Sequence, residues 1–474
     1  MKRLQSDIAH QNNFTRLRQK TPRFIVGMLA KKRSLAFSGN SEASLAEVPT
    51  IVGTKAGLSG FGEVSPFSLF GKPRDLSGGG FTSIRLPFSF ENSVLATGSE
   101  IKSSFAILTG DTVYISSVFD DLRQPKVFEN FKRTILENKR NFKFKPDVIA
   151  CDLHPEYISV KYSKDIFEEA KKRKEKLHLL EIQHHHAHIA SCMAENGLCG
   201  KVIGVAFDGT GYGSDGNIWG GEFLIVDYNN FDRAAHLAYV PMPGADKAVL
   251  EPIRMAFSYL YKTYKGSVAG LESDALRRIG KYKCSLFAEM INKDINSPLT
   301  SSAGRLFDAI SSLIGVKDIV SYEGEAAIEL EKIAAADSND IYKFGVRKAG
   351  GRIVVEFWPM IKAIVSDLKN KKPLALISRK FHNTLAEAIK RVCSILRKKT
   401  KLNSVVLSGG VFKNNILLWE TKRRLERARF SVYTHLKTSC ADRSLSLGQA
   451  VIAANRVESR EILSTFEIRS KICV

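Results

Sequence analysis

Val202-Ile-Gly-Val-Ala-Phe-Asp-Gly-Thr-Gly-Tyr-Gly213 begins as a short apolar run and passes directly into glycine-rich chain. A run of this length, bounded by glycine, predicts a buried strand of an α/β protein that feeds a tight turn. Such turns suit phosphate, because glycine lets backbone N–H groups approach an anion with no side chain in the way. Two further runs follow the same plan: Val148 to Cys151 ends in Asp152-Leu153-His154-Pro155, and Val405 to Leu407 ends in Ser408-Gly409-Gly410. Strand ends are where α/β proteins place ligands. From Ser93-Val-Leu-Ala-Thr-Gly98 onward, strand and helix patterns alternate. Phe105 to Leu108 and Val113 to Ser116, joined through Thr109-Gly110-Asp111, predict a β-hairpin. Helical periodicity is expected at Val127–Lys139, Lys164–Lys176, Leu250–Tyr261, Arg305–Leu313, Ala326–Ala335, Phe381–Arg397 and Asn415–Arg427. The sum is a two-lobed α/β body with its site in a cleft. No repeat is visible at periods of about twenty to fifty residues, which argues against a solenoid.

Between the first two strand blocks stands Glu181-Ile-Gln-His-His-His-Ala-His-Ile-Ala190. His184 and His188 are four apart, so on a helix they share a face and can hold one ion, with a further ligand coming from elsewhere. A surface histidine tract is the alternative reading.

The chain has 474 residues, a net charge of +22 and a pI near 9.6. Its length allows two or three domains and a large core. Lys and Arg are spread throughout, and clusters such as Lys171-Lys172-Arg173-Lys174 and Arg397-Lys398-Lys399 read first as solvated helix faces. The charge favours acidic ligands in general, and direct nucleic-acid binding is not expected. The seven cysteines, Cys151, Cys192, Cys199, Cys284, Cys393, Cys440 and Cys473, form no Cys-x-x-Cys pair. Their odd number, with no signal peptide and no apolar run approaching the ~20 residues of a span, predicts a reducing, cytoplasmic setting and no membrane insertion. Composition divides the chain near residue 88, setting off a basic, loosely ordered extension over 1–88 with a local helix at Phe24–Ala36; lobe I is expected over 89–201, lobe II over 202–460 and a tail over 461–474.

Seven runs carry a specific resemblance. They are Leu95-Ala-Thr-Gly-Ser-Glu-Ile-Lys102, Gln183-His-His-His-Ala-His-Ile-Ala-Ser-Cys-Met-Ala-Glu-Asn196, Phe207-Asp-Gly-Thr-Gly-Tyr-Gly213, Ile218-Trp-Gly-Gly-Glu-Phe223, Ser302-Ala-Gly-Arg-Leu-Phe-Asp308, Tyr322-Glu-Gly-Glu-Ala-Ala327 and Ser408-Gly-Gly-Val-Phe-Lys-Asn414. In this order they resemble the carbamoyl-transfer module of the hydrogenase maturation carbamoyltransferases, the HypF family, over residues 92 to 455.

The resemblance implies the two-lobed ribonuclease H-like fold of actin, sugar kinases and heat-shock chaperones. It implies that His184, His188 and Asp442 hold a metal, iron or zinc, with Asp208 beside it. Gly209, Thr210, Gly211, Gly409 and Gly410 would cradle phosphate or ribose, Gly304 and Asp308 would bind ribose hydroxyls, Asn414 would bond the nucleotide, and Lys102 would meet a phosphate. ATP or carbamoyl adenylate would be the donor, and the C-terminal cysteine of a HypE-type partner the acceptor. The family's acylphosphatase domain, Cys-x-x-Cys zinc motifs and adenylating domain are not visible, so a separate adenylating protein is expected. The family's Asn-Asp-Gly-Gly loop reads Ala441-Asp442-Arg443-Ser444 here, without its glycines. Transfer of threonylcarbamoyl to tRNA and an inactive nucleotide-binding scaffold are the competing functions.

Overall fold

A computed structural model describes residues 80–472 apart from 269 and 337, with side chains of the last helix described through Ser459. The expected helix at Phe24–Ala36, most of the expected extension, and Cys473 lie outside the described residues.

The first sheet contains β1 (Thr82–Ala96), β2 (Ala106–Ile115), β3 (Val148–Asp152) and β4 (His178–Ile182) in the order β2-β1-β3-β4, flanked by α1 (Pro125–Asn141) and α2 (Ile158–Lys172). β1 begins inside the segment assigned to the extension. The expected hairpin at Thr109-Gly110-Asp111 does not form, because β2 runs unbroken through it and pairs antiparallel with β1. Gly110 sits at φ +57° opposite Phe90, where the register shifts on both sides. The glycine that suggested a turn instead makes a bulge, and the chain reverses between β1 and β2.

The second sheet contains β5 (Val202–Tyr212), β6 (Ile218–Val226), β7 (Phe231–Leu237), β8 (Gly345–Ala349), β9 (Arg352–Glu356), β10 (Ser404–Ser408) and β11 (Ser431–Tyr433). Their order is β8-β9-β7-β6-β5-β10-β11, with β6 antiparallel to β5 and β10 parallel to it. The first sheet repeats this plan of an antiparallel neighbour on one side of the first strand and parallel strands on the other. This is the two-lobed ribonuclease H-like α/β fold that the resemblance implies.

Alternation along β5 divides the second lobe. Ile203, Val205 and Phe207 enter the core under α4 (Pro252–Thr263), α5 (Ala303–Leu313) and α7 (Leu374–Thr400). α6 (Glu325–Lys332) and α8 (Asn415–Arg427) contribute to the same core through Leu330, Leu417 and Leu425. Val202 and Ala206 face the opposite way, into a second core built by α3 (His184–Glu195) and α9 (Leu445–Ile472). That core also takes Val94, Ala96 and Val148 from the first sheet. The division at 201/202 therefore does not separate two independent cores: α9 returns across the chain to pack on α3 and the first sheet. Gly448 makes the crossing possible, since a methyl there would lie 2.7 Å from the Ala187 carbonyl carbon.

Of the expected helices, Asn415–Arg427 matches α8 at both ends, while α2 starts at Ile158, earlier than Lys164. Among the described residues no helix is long and apolar enough to cross a membrane.

Candidate metal centre and its cleft

α3 begins at His184 because Gln183 caps it, its side-chain oxygen accepting the His186 N–H at 2.9 Å. The histidines are no surface tract: His184, His185, His186 and His188 are all fully buried. His186 Nε2–H donates to the Asp227 carbonyl at 2.7 Å, and burial drives its pKa down to about 4. Burial, with the neighbouring His184, holds His185 well below the usual imidazole range.

His184 and His188 turn to a different purpose. His184 Nδ1 lies 2.8 Å from Asp152 Oδ2, at the end of β3. Donation at Nδ1 leaves the Nε2 lone pair facing inward, the usual way a carboxylate orients a ligating imidazole. His184 Nε2 is 3.3 Å from Asp208 Oδ2 and 3.8 Å from Asp442 Oδ1; His188 Nε2 is 3.4 and 3.5 Å from the same atoms. One ligand atom from each of His184, His188, Asp208 and Asp442 falls within 4.8 Å of the others.

Asp208 thus stands among the potential ligands, a place given to His184, His188 and Asp442 alone from sequence. Its other oxygen, Oδ1, accepts the Gly410 N–H at 2.8 Å. Burial opposes charge on Asp208, but His184 and His188 outweigh it and hold the carboxyl well below its ordinary range. For His184 burial is likewise outweighed, here by Asp152, Asp208 and Asp442, and its pKa is raised well above the usual value. The pocket therefore draws positive charge. His188 has no directed hydrogen bond at either ring nitrogen, which buried polar atoms rarely tolerate. Two imidazoles and two carboxylates suit a divalent ion such as zinc or iron, whose charge the two carboxylates would balance.

The loop carrying Asp442 is a single 3₁₀ turn, Asp442–Ser444. None of Ala441, Asp442, Arg443 and Ser444 has positive φ, so this conformation needs no glycine there. Ser444 Oγ donates to the Ser439 carbonyl at 2.6 Å, closing the turn.

The glycines expected to cradle phosphate divide in role. Gly209, Thr210 and Gly211 lie within β5, where the pairing with β6 is shifted between Phe207 and Gly211, and not in a turn. A Cβ on Gly211 would come within 2.5 Å of His185 Cε1 and 2.8 Å of His184 Cδ2, so this glycine makes room for the histidine rings. Gly304 brings the start of α5 onto Gly209, whose Cα would be 2.9 Å from an added methyl. Gly409, at φ +102°, packs on the Phe207 backbone. Its N–H donates to the Cys440 carbonyl at 2.8 Å.

Asp308 lies one helical turn from Arg305, with Arg305 Nε 2.7 Å from Asp308 Oδ2. Burial, partly offset by Arg305, pushes the Asp308 pKa up to about 6. The close approach satisfies charge but not direction: Arg305 Nε and Nη1 and Asp308 Oδ2 are buried without a directed hydrogen bond. Glu323, 3.6 Å from Arg305 Nη2, borders the same place; burial, partly offset by Arg305, raises its pKa. Asn414 caps α8, its oxygen accepting the Leu417 N–H at 2.8 Å while its amide nitrogen lies 2.9 Å from His382 Nε2. Lys102 is exposed at φ +52° and its charge reaches Glu323. Sequence reasoning did not assign Asp152 or Glu323 a role, although Asp152 stood at a predicted strand end and Glu323 inside a quoted run.

A family profile described as "HypF Kae1-like domain" matches residues 89–195, and one described as "Carbamoyltransferase, Kae1-like Domain, second subdomain" matches 204–449. "Carbamoyltransferase HypF" from Synechocystis sp. is 32% identical over 80% of this chain and 49% of its own length. "Carbamoyltransferase HypF homolog" from Cupriavidus necator is 31% identical over 77% of this chain and 92% of its own. A crystal structure of full-length HypF in its phosphate- and nucleotide-bound form superposes with a TM-score of 0.73 at 38% identity, over 80% of this chain and 57% of that one. The chain spans about half the length of the first curated relatives it matches.

Proposed function

The chain belongs to the HypF carbamoyltransferase family through its Kae1-like domains, and from that premise we propose that it transfers a carbamoyl group from carbamoyl adenylate to the C-terminal cysteine of a HypE-type protein during nickel–iron hydrogenase maturation. The single observation that carries this reading is the convergence of His184, His188, Asp208 and Asp442 beside a glycine loop.

In this reaction a C–S bond forms as the C–O bond to the adenylate phosphate breaks. AMP leaves with the electron pair of that bond, and the thiol proton is released. The residues His184, His188, Asp208 and Asp442 would hold the cation. When bound, it supplies a Lewis acid for a substrate oxygen.

The protein's own groups do the rest. Asp152 fixes the His184 tautomer, and the Asp208–Gly410 bond sets the glycine loop against the cluster. Arg305, Asp308 and Glu323, with hydrogen-bonding capacity to spare at the first two, form the pocket for ribose and neighbouring phosphate. Lys102, at the rim, meets the departing phosphate. Asn414 acts through the loop it caps. An adenylating activity supplies the donor.

The test supplies the purified chain with an adenylating partner, ATP, carbamoyl phosphate and a peptide ending in cysteine, with carbamoylation of the peptide read by mass spectrometry. The expected result is transfer by the wild type and none by His188→Ala. Equal transfer by both removes the histidine cluster from the reaction.

A further inference from the structure

Glu195 lies two turns beyond His188 on α3, and its side chain is fully buried. Its Oε1 accepts the backbone N–H groups of Leu436 at 2.8 Å, Thr438 at 2.9 Å, and Lys437. Its Oε2 accepts the Thr438 hydroxyl at 2.7 Å and lies 3.0 Å from His435 Nδ1. On the far side of that imidazole, His435 Nε2 is 2.9 Å from Ser408 Oγ, the residue before the glycine loop. Asn196 adds a bond from Nδ2 to the Thr434 carbonyl at 3.0 Å. The segment from Thr434 to Cys440 is thus held at Thr434, Leu436, Lys437, Thr438 and Cys440, and the next residue but one is Asp442. Burial works against charge on Glu195, yet His435, Lys437 and Thr438 outweigh it and bring its pKa down to about 2.

Ser408, His435 and Glu195 are connected in the order of a hydrolase triad. Ser408 is fully buried, however, and Glu195 spends both oxygens on the loop, so the arrangement reads as a brace.

We propose that Glu195, with His435, is the positioning residue that sets how far Asp442 reaches toward His184 and His188, so that one helix carries two of the four metal ligands and also fixes another. The inference rests on the metal reading above. It explains how a loop without the family's glycines delivers its carboxylate: rigidity comes from the charge beneath the loop. Through Ser408 the same brace joins the metal cluster to the glycine loop.

The experiment measures zinc binding by calorimetry, and the visible absorption of the cobalt(II) form, on the full chain and on Glu195→Gln, Asp442→Asn, the double variant and His188→Ala. The metal-free thermal midpoint is recorded for each. Glu195→Gln is expected to weaken zinc about tenfold or more, in the range seen for groups that orient ligands. Its cobalt spectrum should move toward that of Asp442→Asn, and the double variant should bind no more weakly than Asp442→Asn alone. A generally loosened fold would instead add its effect to that of Asp442→Asn and leave the cobalt spectrum of Glu195→Gln unlike that of Asp442→Asn. Unchanged zinc affinity in Glu195→Gln, or full additivity, overturns the proposal. If Glu195→Gln does not fold, Thr438→Val, which removes one of the five bonds, takes its place; a smaller loss in the same direction is expected, and none overturns it. Zinc bound equally by wild type and His188→Ala, or by neither, rejects the metal reading itself, and the proposal with it.

Discussion

The Gly410 N–H donates to Asp208 Oδ1 at 2.8 Å while Asp208 Oδ2 lies 3.3 and 3.4 Å from His184 and His188. One carboxylate therefore faces both the glycine loop after β10 and the histidines of α3. A nucleotide phosphate seated on that loop and a cation held by the histidines would share Asp208 as a common wall.

The first prediction concerns Asp152. Replacing it with asparagine keeps the shape but loses the charge that orients His184. Metal affinity should fall about 10–100-fold with little change in the fold, as measured by competition with a chelator of known strength. Undiminished affinity would show that His184 is oriented by something else.

Gly211→Ala tests the space under the rings. A methyl 2.5 Å from His185 Cε1 must displace His185, His184 or β5. Overpacking of this kind costs about 1–3 kcal/mol. Urea unfolding should register that loss, and metal binding should weaken with it.

A third prediction lies outside the metal cluster. Arg233 is buried with its Nε 2.6 Å from Glu222 Oε2, and Glu222 Oε1 accepts the Ser301 hydroxyl and the N–H groups of Gly220 and Gly221. Arg233→Met leaves the buried Glu222 without its cation, which costs about 3–5 kcal/mol. Equilibrium denaturation should show this in full. A loss under ~1 kcal/mol would mean Ser301 and the backbone suffice for Glu222.

The brace should also be visible in acid. The Glu195 pKa is depressed from an ordinary 4.5 to about 2, so its contribution to stability is fully present above the ordinary value and lost as pH falls through about 2. The thermal midpoints of wild type and Glu195→Gln should therefore differ at pH 5 and converge toward pH 2. A gap that stays constant over that interval contradicts the assigned charge.

Much of this was legible along the chain because the signals are local. The spacing of His184 and His188 is one helical turn, and Val202 to Phe207 alternates between two cores as a strand should. Thr109-Gly110-Asp111 misled because a glycine that bends a strand and one that ends it look alike until the partner strand is known. Here the partner, β1, pairs through Phe90 and needs a bulge. The place of α9 was hidden for another reason. No helix is among those expected there, and nothing in the spacing of its apolar residues says that the partner is α3, on the far side of the sequence. Asp152 and Asp208 belong to the same class: each stands at the end of an apolar strand run by local context, and joins the candidate metal centre only when β3, β5 and α3 meet. Glu195 shares a helix face with His188, yet its partners lie some 240 positions away.

The most direct test of the account is the metal content of the purified chain after reconstitution with iron(II) or zinc, measured by elemental analysis beside His188→Ala and Asp208→Asn. The account predicts one tightly held ion per wild-type chain, absent from His188→Ala and strongly reduced in Asp208→Asn. A wild type that retains neither metal, or variants that retain it as the wild type does, would contradict it.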